Sequence, residues 1–172
     1  CQDKINWLDG IMVFMPELPE VETVVNDLKQ SIIGAKIIDF WENSPKQVMP
    51  SVGRVKNEVI GSTIVGVERR GKLIILKMYK VKFTMYNFLG IHLRMSGRLL
   101  LRKKNDAPDR YAHVILSLKK IPKQVRDDKG KVRDDNREEE LRFCDTRKFG
   151  YVRLFNNKSD LTMWIQEKLG PE

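Results

Sequence analysis

Hydrophobic positions in this chain follow two periods. Leu18, Val21, Val25, Leu28 and Ile32 recur every three or four residues and form one stripe of a helix. Glu20 and Glu22 sit in its first turn, where the helix dipole favours acids, and Gly34 is placed to end it. The pattern predicts a helix over 19–33. Short β-branched or aromatic runs follow, separated by Gly, Pro, Asn or Asp, and predict strands over 35–41, 63–69, 73–79, 83–93, 98–102, 111–118, 140–144 and 151–155. Residues 44–58 read as either loop or short helix. A second helix is predicted over 159–169, with Ser159 or Asp160 as N-cap. One helix, eight strands and one helix predict a mainly β (α+β) fold. The expected architecture is an eight-stranded β-sandwich or barrel flanked by an N-terminal and a C-terminal helix.

A length of 172 residues fits one domain. It is long enough to bury a core without disulfide or metal staples. Cys1 and Cys144 cannot build a disulfide framework or a four-ligand zinc site, and His92 and His113 leave little for a histidine metal centre, so no metal is expected. No apolar run approaches the ~20 residues of a membrane-spanning helix. Residues 1–14 lack the basic start of a signal peptide. The expectation is a soluble, reduced, cytoplasmic protein that makes no membrane contact and is monomeric.

Charge narrows the choice of partner. The chain carries 32 Lys and Arg against 23 Asp and Glu, a net of +9. From Arg69 to Lys104 there are eleven basic residues and no acid. Such a stretch points to a polyanion, with nucleic acid first. Residues 119–142 differ: nine bases and seven acids nearly cancel, so this segment reads as a solvated hairpin or loop inserted between two strands.

The densest chemistry lies in Met15-Pro16-Glu17-Leu18-Pro19-Glu20-Val21-Glu22-Thr23. Its plain reading is a helix start with Pro19 in the first turn. A second reading starts from Met15. Translation from that Met, followed by its removal, would leave Pro16 with a free secondary amine. An α-amino group has a pKa near 8, against about 10.4 for Lys, so far more of it is unprotonated at neutral pH. Such an amine can attack a sugar C1′ and form an iminium. Inside a chain the same nitrogen is an amide and cannot attack. Glu17 and Glu20 would stand beside it as proton carriers.

MPELPEVET, ERRGK at 68–72, HLRMSGRL at 92–99, DTRKFG at 145–150 and the final LGPE together resemble the N-terminal domain of bacterial formamidopyrimidine-DNA glycosylases. They occur in the family's order and span almost everything from Met15 to Glu172. The resemblance implies a bifunctional DNA glycosylase and abasic-site lyase of base excision repair. Its substrates would be oxidised purines such as 8-oxoguanine and formamidopyrimidines in double-stranded DNA, with strand cleavage by β,δ-elimination. It also implies a cytoplasmic, nucleoid-associated location. Carried over by residue, Pro16 matches the nucleophile and Glu17 the proton donor. Lys72 matches a lysine that contacts phosphate and aids elimination. Glu20 matches a glutamate near the extruded base, and His92 matches a phosphate contact. Met95, Arg147 and Phe149 match the side chains that fill the hole left by the flipped nucleotide. Without the resemblance, Met95 and Phe149 read as core residues and His92 as a half-buried strand histidine. Gly97 and Gly150 are expected to let loops turn close to DNA.

The resemblance also divides the chain. Residues 1–14 are expected to be an extension outside the native domain, and 15–172 the catalytic domain. The family's C-terminal helix–two-turn–helix and zinc-finger domain has no counterpart in these residues, so no cofactor is expected. Arg94 stands where Gly is common in the family, and Thr146 where Pro is common. Two alternatives stay open: a non-catalytic basic DNA-binding β-domain, and an endonuclease VIII-like glycosylase acting on oxidised pyrimidines.

Overall fold

The computed structural model describes residues 7–8, 11–12, 18–81, 85–120 and 138–169. β1 (Trp7–Leu8) and β2 (Ile11–Met12) pair as a two-stranded antiparallel sheet. Then come α1 (Leu18–Ile32), β3 (Ala35–Glu42), a 3-10 turn (Pro45–Gln47), β4 (Val48–Met49) and α2 (Val52–Val59). β5 (Thr63–Arg70), β6 (Leu73–Tyr79), β7 (Tyr86–His92) and β8 (Gly97–Lys103) follow. The described chain closes with β9 (Ala112–Lys120), β10 (Glu138–Asp145), β11 (Tyr151–Phe155) and α3 (Lys158–Leu169).

The large sheet runs β4-β11-β7-β6-β5-β3-β9-β10-β8. Between β3 and β5 it narrows to the single pair Lys36↔Thr63, which divides it into two halves. Both halves face one core. Ile74, Leu76, Leu89 and Ile91 from one half meet Ile37, Leu116, Leu118 and Phe143 from the other. This is the expected sandwich, built on the eight expected strands with β4 added. β4 lies parallel to β11 and is two residues long, too short for a period of two to register. The open segment 44–58 divides into turn, strand and α2, with Ser51 Oγ accepting from Arg54 N–H at the helix start.

α1 closes the core with Val21, Val25, Leu28 and Ile32, and Gly34 ends it at φ +87°. Leu18, expected on the buried stripe, is instead half-exposed, because it precedes the first turn that packs. On the opposite face, Leu73 and Ile75 of β6 point away from the main core and join Phe88, Phe155, Leu161 and Trp164 beneath α3. Helix cover on that face explains why β6 and β7 are apolar nearly throughout rather than alternating. The cap of α3 is Asn157, not Ser159 or Asp160: its Oδ1 accepts the Asp160 N–H at 2.8 Å. Among the described residues, no helix is long and apolar enough to cross a membrane.

The charged segment 119–142 is shorter than expected. Lys119 pairs with Glu138 as β9 and β10 run antiparallel, so both ends of the segment belong to the sheet, while 121–137 lie outside the described residues. Arg142, expected in a solvated loop, is 3% exposed. Its guanidinium is satisfied by Glu140, by Asp109 at 2.9 Å, and by the carbonyls of Ala107 and Asp106. A buried cation persists where fixed acceptors surround it.

Candidate functional site

Three turns and one helix start meet at one end of the sandwich. The β5–β6 turn carries Lys72, whose carbonyl accepts the Leu93 N–H at 3.2 Å. The β7–β8 turn holds Arg94, Met95 and Ser96, and the β10–β11 turn holds Arg147, Lys148 and Phe149. His92 stands opposite both Leu73 and Tyr151, which fixes the first and third turns around the second. α1 is tied to this end by Glu22, whose carboxylate accepts from Arg69 Nε at 2.5 Å. Glu20, Val21 and Val24 line a cleft of about 300 Å³ together with Leu93, Ser96 and Arg98.

One carboxylate joins two of the turns. Asp145 is 1% exposed. Its Oδ1 accepts from Ser96 Oγ at 2.5 Å and from the Arg147 N–H at 3.1 Å, while Oδ2 accepts from the Gly150 N–H at 2.7 Å. Its backbone carbonyl accepts from His113 Nε2 at 2.8 Å. The glycines flanking these turns are fixed by packing within the protein. A Cβ on Gly97 would lie 2.4 Å from Leu93 O, and one on Gly150 would lie 2.6 Å from the Phe143 ring and 2.7 Å from His92 O. Close approach of buried neighbours is thus by itself a sufficient reason for glycine at both positions. Each turn also holds one non-glycine residue in the left-handed region, Arg94 at φ +53° and Lys148 at φ +56°. Backbone of this kind persists only where its surroundings hold it, and it collects at functional sites.

His92 is 8% exposed. Burial pushes its imidazole down to about 4, helped by the positive charges of Arg94 and Lys72. Nδ1 accepts the Arg94 N–H at 3.1 Å. The ring is thus neutral at pH 7 with its proton on Nε2, a donor without a charge.

The expected site residues fall out as follows. Pro16 and Glu17 lie outside the described residues. Glu20 is exposed on the first turn of α1, and Lys72 is half-buried in its turn. His92 is buried, more deeply than a half-buried strand histidine. Met95 is 41% and Phe149 57% exposed, so neither is a core residue. Arg147 is exposed on the same turn as Phe149. Sequence reasoning missed Asp145 and Ser96 as the link between the turns. The only sign of them was their place inside the HLRMSGRL and DTRKFG motifs. Cys144 is buried, and burial together with Asp109 pushes its thiol up to about 11, so it is a poor nucleophile. No group of three or more metal-ligating side chains occurs among the described residues.

The profile of the formamidopyrimidine-DNA glycosylase N-terminal domain matches residues 15–152. The chain belongs to that family. Formamidopyrimidine-DNA glycosylases from Lactococcus lactis and Protochlamydia amoebophila are similar to it, 32% identical over 158 residues and 36% over 162. Each alignment covers 92% of this chain. The chain spans about half the length of these relatives, 50% and 49%. The fold matches the L. lactis glycosylase in a crystal structure with DNA containing FAPY-dG, at a TM-score of 0.71 and 30% identity, over 91% of this chain and 50% of that one. A MutM structure with carbocyclic 8-oxo-G DNA matches at a TM-score of 0.71 and 28% identity, over 89% of this chain and 49% of that one. The turns that gather Lys72, His92, Met95 and Arg147 all lie within the residues matched to the glycosylase domain.

Proposed function

We propose that this chain is the catalytic portion of a base-excision DNA glycosylase and abasic-site lyase, acting on oxidised purines in duplex DNA. The observation that carries the reading is the pair of exposed apolar side chains, Met95 and Phe149, held with Arg147 on two turns joined through Asp145. Exposed hydrophobics on rigid turns within a basic surface have a purpose on DNA. Chemistry on a base in the duplex requires extruding it, at a few kcal/mol, and an apolar wedge that fills the gap offsets part of that. Arg147 would satisfy the base left without a partner.

In this reading the free secondary amine of Pro16 attacks C1′ of the damaged nucleotide. The glycosidic bond breaks, the base leaves with a proton, and an iminium joins Pro16 to the opened sugar. Glu17 supplies the proton that opens the ring, and Glu20 stands by the extruded base. Lys72 and His92 hold phosphate, Lys72 as a cation and His92 through its neutral Nε2–H. Loss of the C2′ proton then expels the 3′ phosphate, and a further elimination expels the 5′ phosphate. The family match begins at Met15, next to this proline, which supports residues 1–14 being an extension. The helix–two-turn–helix and zinc finger would belong to the half of the relatives' length that this chain does not span.

The test is borohydride trapping on a duplex containing 8-oxoguanine. A polypeptide beginning at Pro16 and joined to a relative's C-terminal half should give a covalent protein–DNA adduct through Pro16. The 172-residue chain should give none, because its Pro16 nitrogen is an amide. Equal trapping by Pro16→Gly would refute the nucleophile. Duplex binding without trapping by any form would favour the non-catalytic DNA-binding domain, and trapping confined to oxidised pyrimidines would favour an endonuclease VIII-like specificity.

A further inference from the structure

His92 belongs to a second group of side chains on the side of the fold nearer α3. Its ring stacks on Tyr151 with centroids 5.3 Å apart. Tyr151 meets Trp164 of α3 edge-on at 6.2 Å. These rings and Met49 line a cleft of about 260 Å³ together with three cations, Arg94, Arg153 and Lys168. Lys168 is already paired, with Glu167 at 2.6 Å. The two arginines are placed otherwise. The Arg94 guanidinium lies 5.6 Å from the Tyr151 ring, and that of Arg153 lies 5.6 Å from Phe155 and 5.8 Å from Trp164. Among the described residues, neither has a carboxylate within ion-pair distance.

This arrangement selects its ligand. Each guanidinium makes one hydrogen bond within the protein, Arg153 Nη1 donating to the Met49 thioether at 4.0 Å and Arg94 donating to the Tyr151 hydroxyl. The N–H groups left over form a planar fork that matches an oxyanion. Two such groups in one cleft repel each other until an anion joins them. Trp164 is 9% and His92 8% exposed, so neither offers an open ring face for a nucleobase to stack on. A phosphate fits these walls better than a base.

Resting on the DNA-glycosylase reading above, we infer that this cleft receives a backbone phosphodiester of the bound DNA, next to the phosphate held by His92, with Arg94 and Arg153 as its donors. The cleft and the lesion site share His92 and Arg94, so one strand crosses both. The footprint of this chain on DNA thus reaches past the flipped nucleotide toward α3.

The experiment measures the affinity of the 172-residue chain for a short duplex carrying a tetrahydrofuran abasic-site analogue, across a salt series. Neutralising one phosphate fewer lowers the slope of log K against log salt by up to about 0.9. Arg153→Gln and Arg94→Gly should each show that drop, and Arg153→Lys should keep most of the slope. Arg94→Gly guards against loss of folding, because Arg94 sits at φ +53°, where glycine is at ease. Single methylphosphonate linkages, placed one at a time along the duplex, then locate the contact. At one position the neutral linkage should weaken the unaltered chain several-fold and leave Arg94→Gly and Arg153→Gln nearly unaffected. The inference is overturned if both variants keep the full slope, or if every methylphosphonate penalty is the same in all proteins. Salt-independent binding, or no binding, by the unaltered chain would overturn the DNA reading itself and this inference with it.

Discussion

Asp145→Asn is the sharpest probe of how the site is held. The carboxylate accepts three hydrogen bonds, from Ser96 Oγ and the Arg147 N–H on Oδ1 and from the Gly150 N–H on Oδ2. An amide has the same shape but only one acceptor oxygen. With that oxygen at the Oδ1 position, the NH₂ faces the buried Gly150 N–H, donor against donor. With the amide turned round, Gly150 is satisfied and Ser96 can accept, but the Arg147 N–H is orphaned. The second arrangement is the cheaper, because the Arg147 amide is less deeply buried. One unsatisfied amide costs about 1–3 kcal/mol, and the absence of charge assistance acts in the same direction. A central value of ~2 kcal/mol corresponds to a melting point lower by about 4–8 °C in a domain of this size. Thermal unfolding followed by circular dichroism reads the loss. Amide hydrogen exchange reads its place, with Arg147 exchanging faster while the strand pairing of β6 and β7 keeps its protection. Ser96→Ala should couple to Asp145→Asn in a double-mutant cycle, since the two share one hydrogen bond. A melting point within a degree of the unaltered chain, with Arg147 exchange unchanged, would refute the claim that Asp145 organises the turns.

Met95→Ala and Phe149→Ala should each change stability by less than about 1 kcal/mol, since both side chains are exposed. In a trapping-competent form they should slow adduct formation while leaving the salt slope of binding alone; a collapse in melting point would restore the core reading. The His92 imidazole, near 6.5 in the unfolded chain, stands at about 4 in the fold. The unfolded chain therefore binds more protons between those values. The His92 contribution to stability is complete above pH 6.5 and is lost as pH falls through about 4. An NMR titration of the ring should give a midpoint near 4, and a midpoint above 6 would contradict its burial. Gly150→Ala should destabilise by about 1–3 kcal/mol, because its methyl would sit 2.6 Å from Phe143 and 2.7 Å from backbone; a neutral effect on the melting point would show that this region yields.

Most of the fold was legible because it rests on local periods. The stripe from Val21 to Ile32 marked α1, and turn residues bracketed the eight strands. Legibility failed where a neighbour distant in sequence decides. β4 exists because β11 lies beside it. Arg142 reads as solvated until Asp109, 33 residues away, comes to meet it. The site divided in the same way. Lys72, His92 and Arg147 could be named by motif, because each motif sits on one turn. The exposure of Met95 and Phe149 could not be read, because an apolar residue beside a strand is ordinarily core. Asp145 was invisible as a link, since its partner Ser96 is 49 residues away.

The two strained positions give the motifs a physical basis. Arg94 and Lys148 are left-handed without being glycine, at about 1–2 kcal/mol apiece. Local preference would relax both turns and let Met95 and Phe149 fold back onto the sheet. Asp145 opposes that relaxation with charge-assisted bonds of roughly 1.5–3 kcal/mol each, made to both turns at once. Anchored in this way, the β7–β8 turn no longer needs glycine at its left-handed residue, and position 94 is open to a side chain with another task. Here that side chain is an arginine whose backbone N–H fixes the His92 tautomer and whose guanidinium lies over Tyr151. Arginine rather than glycine at φ +53° thus exchanges a little backbone ease for a cation at the mouth of the cleft beside α3. The inferred phosphate contact would use that cation, and Arg94→Gly, which restores backbone ease and removes the charge, separates the two effects.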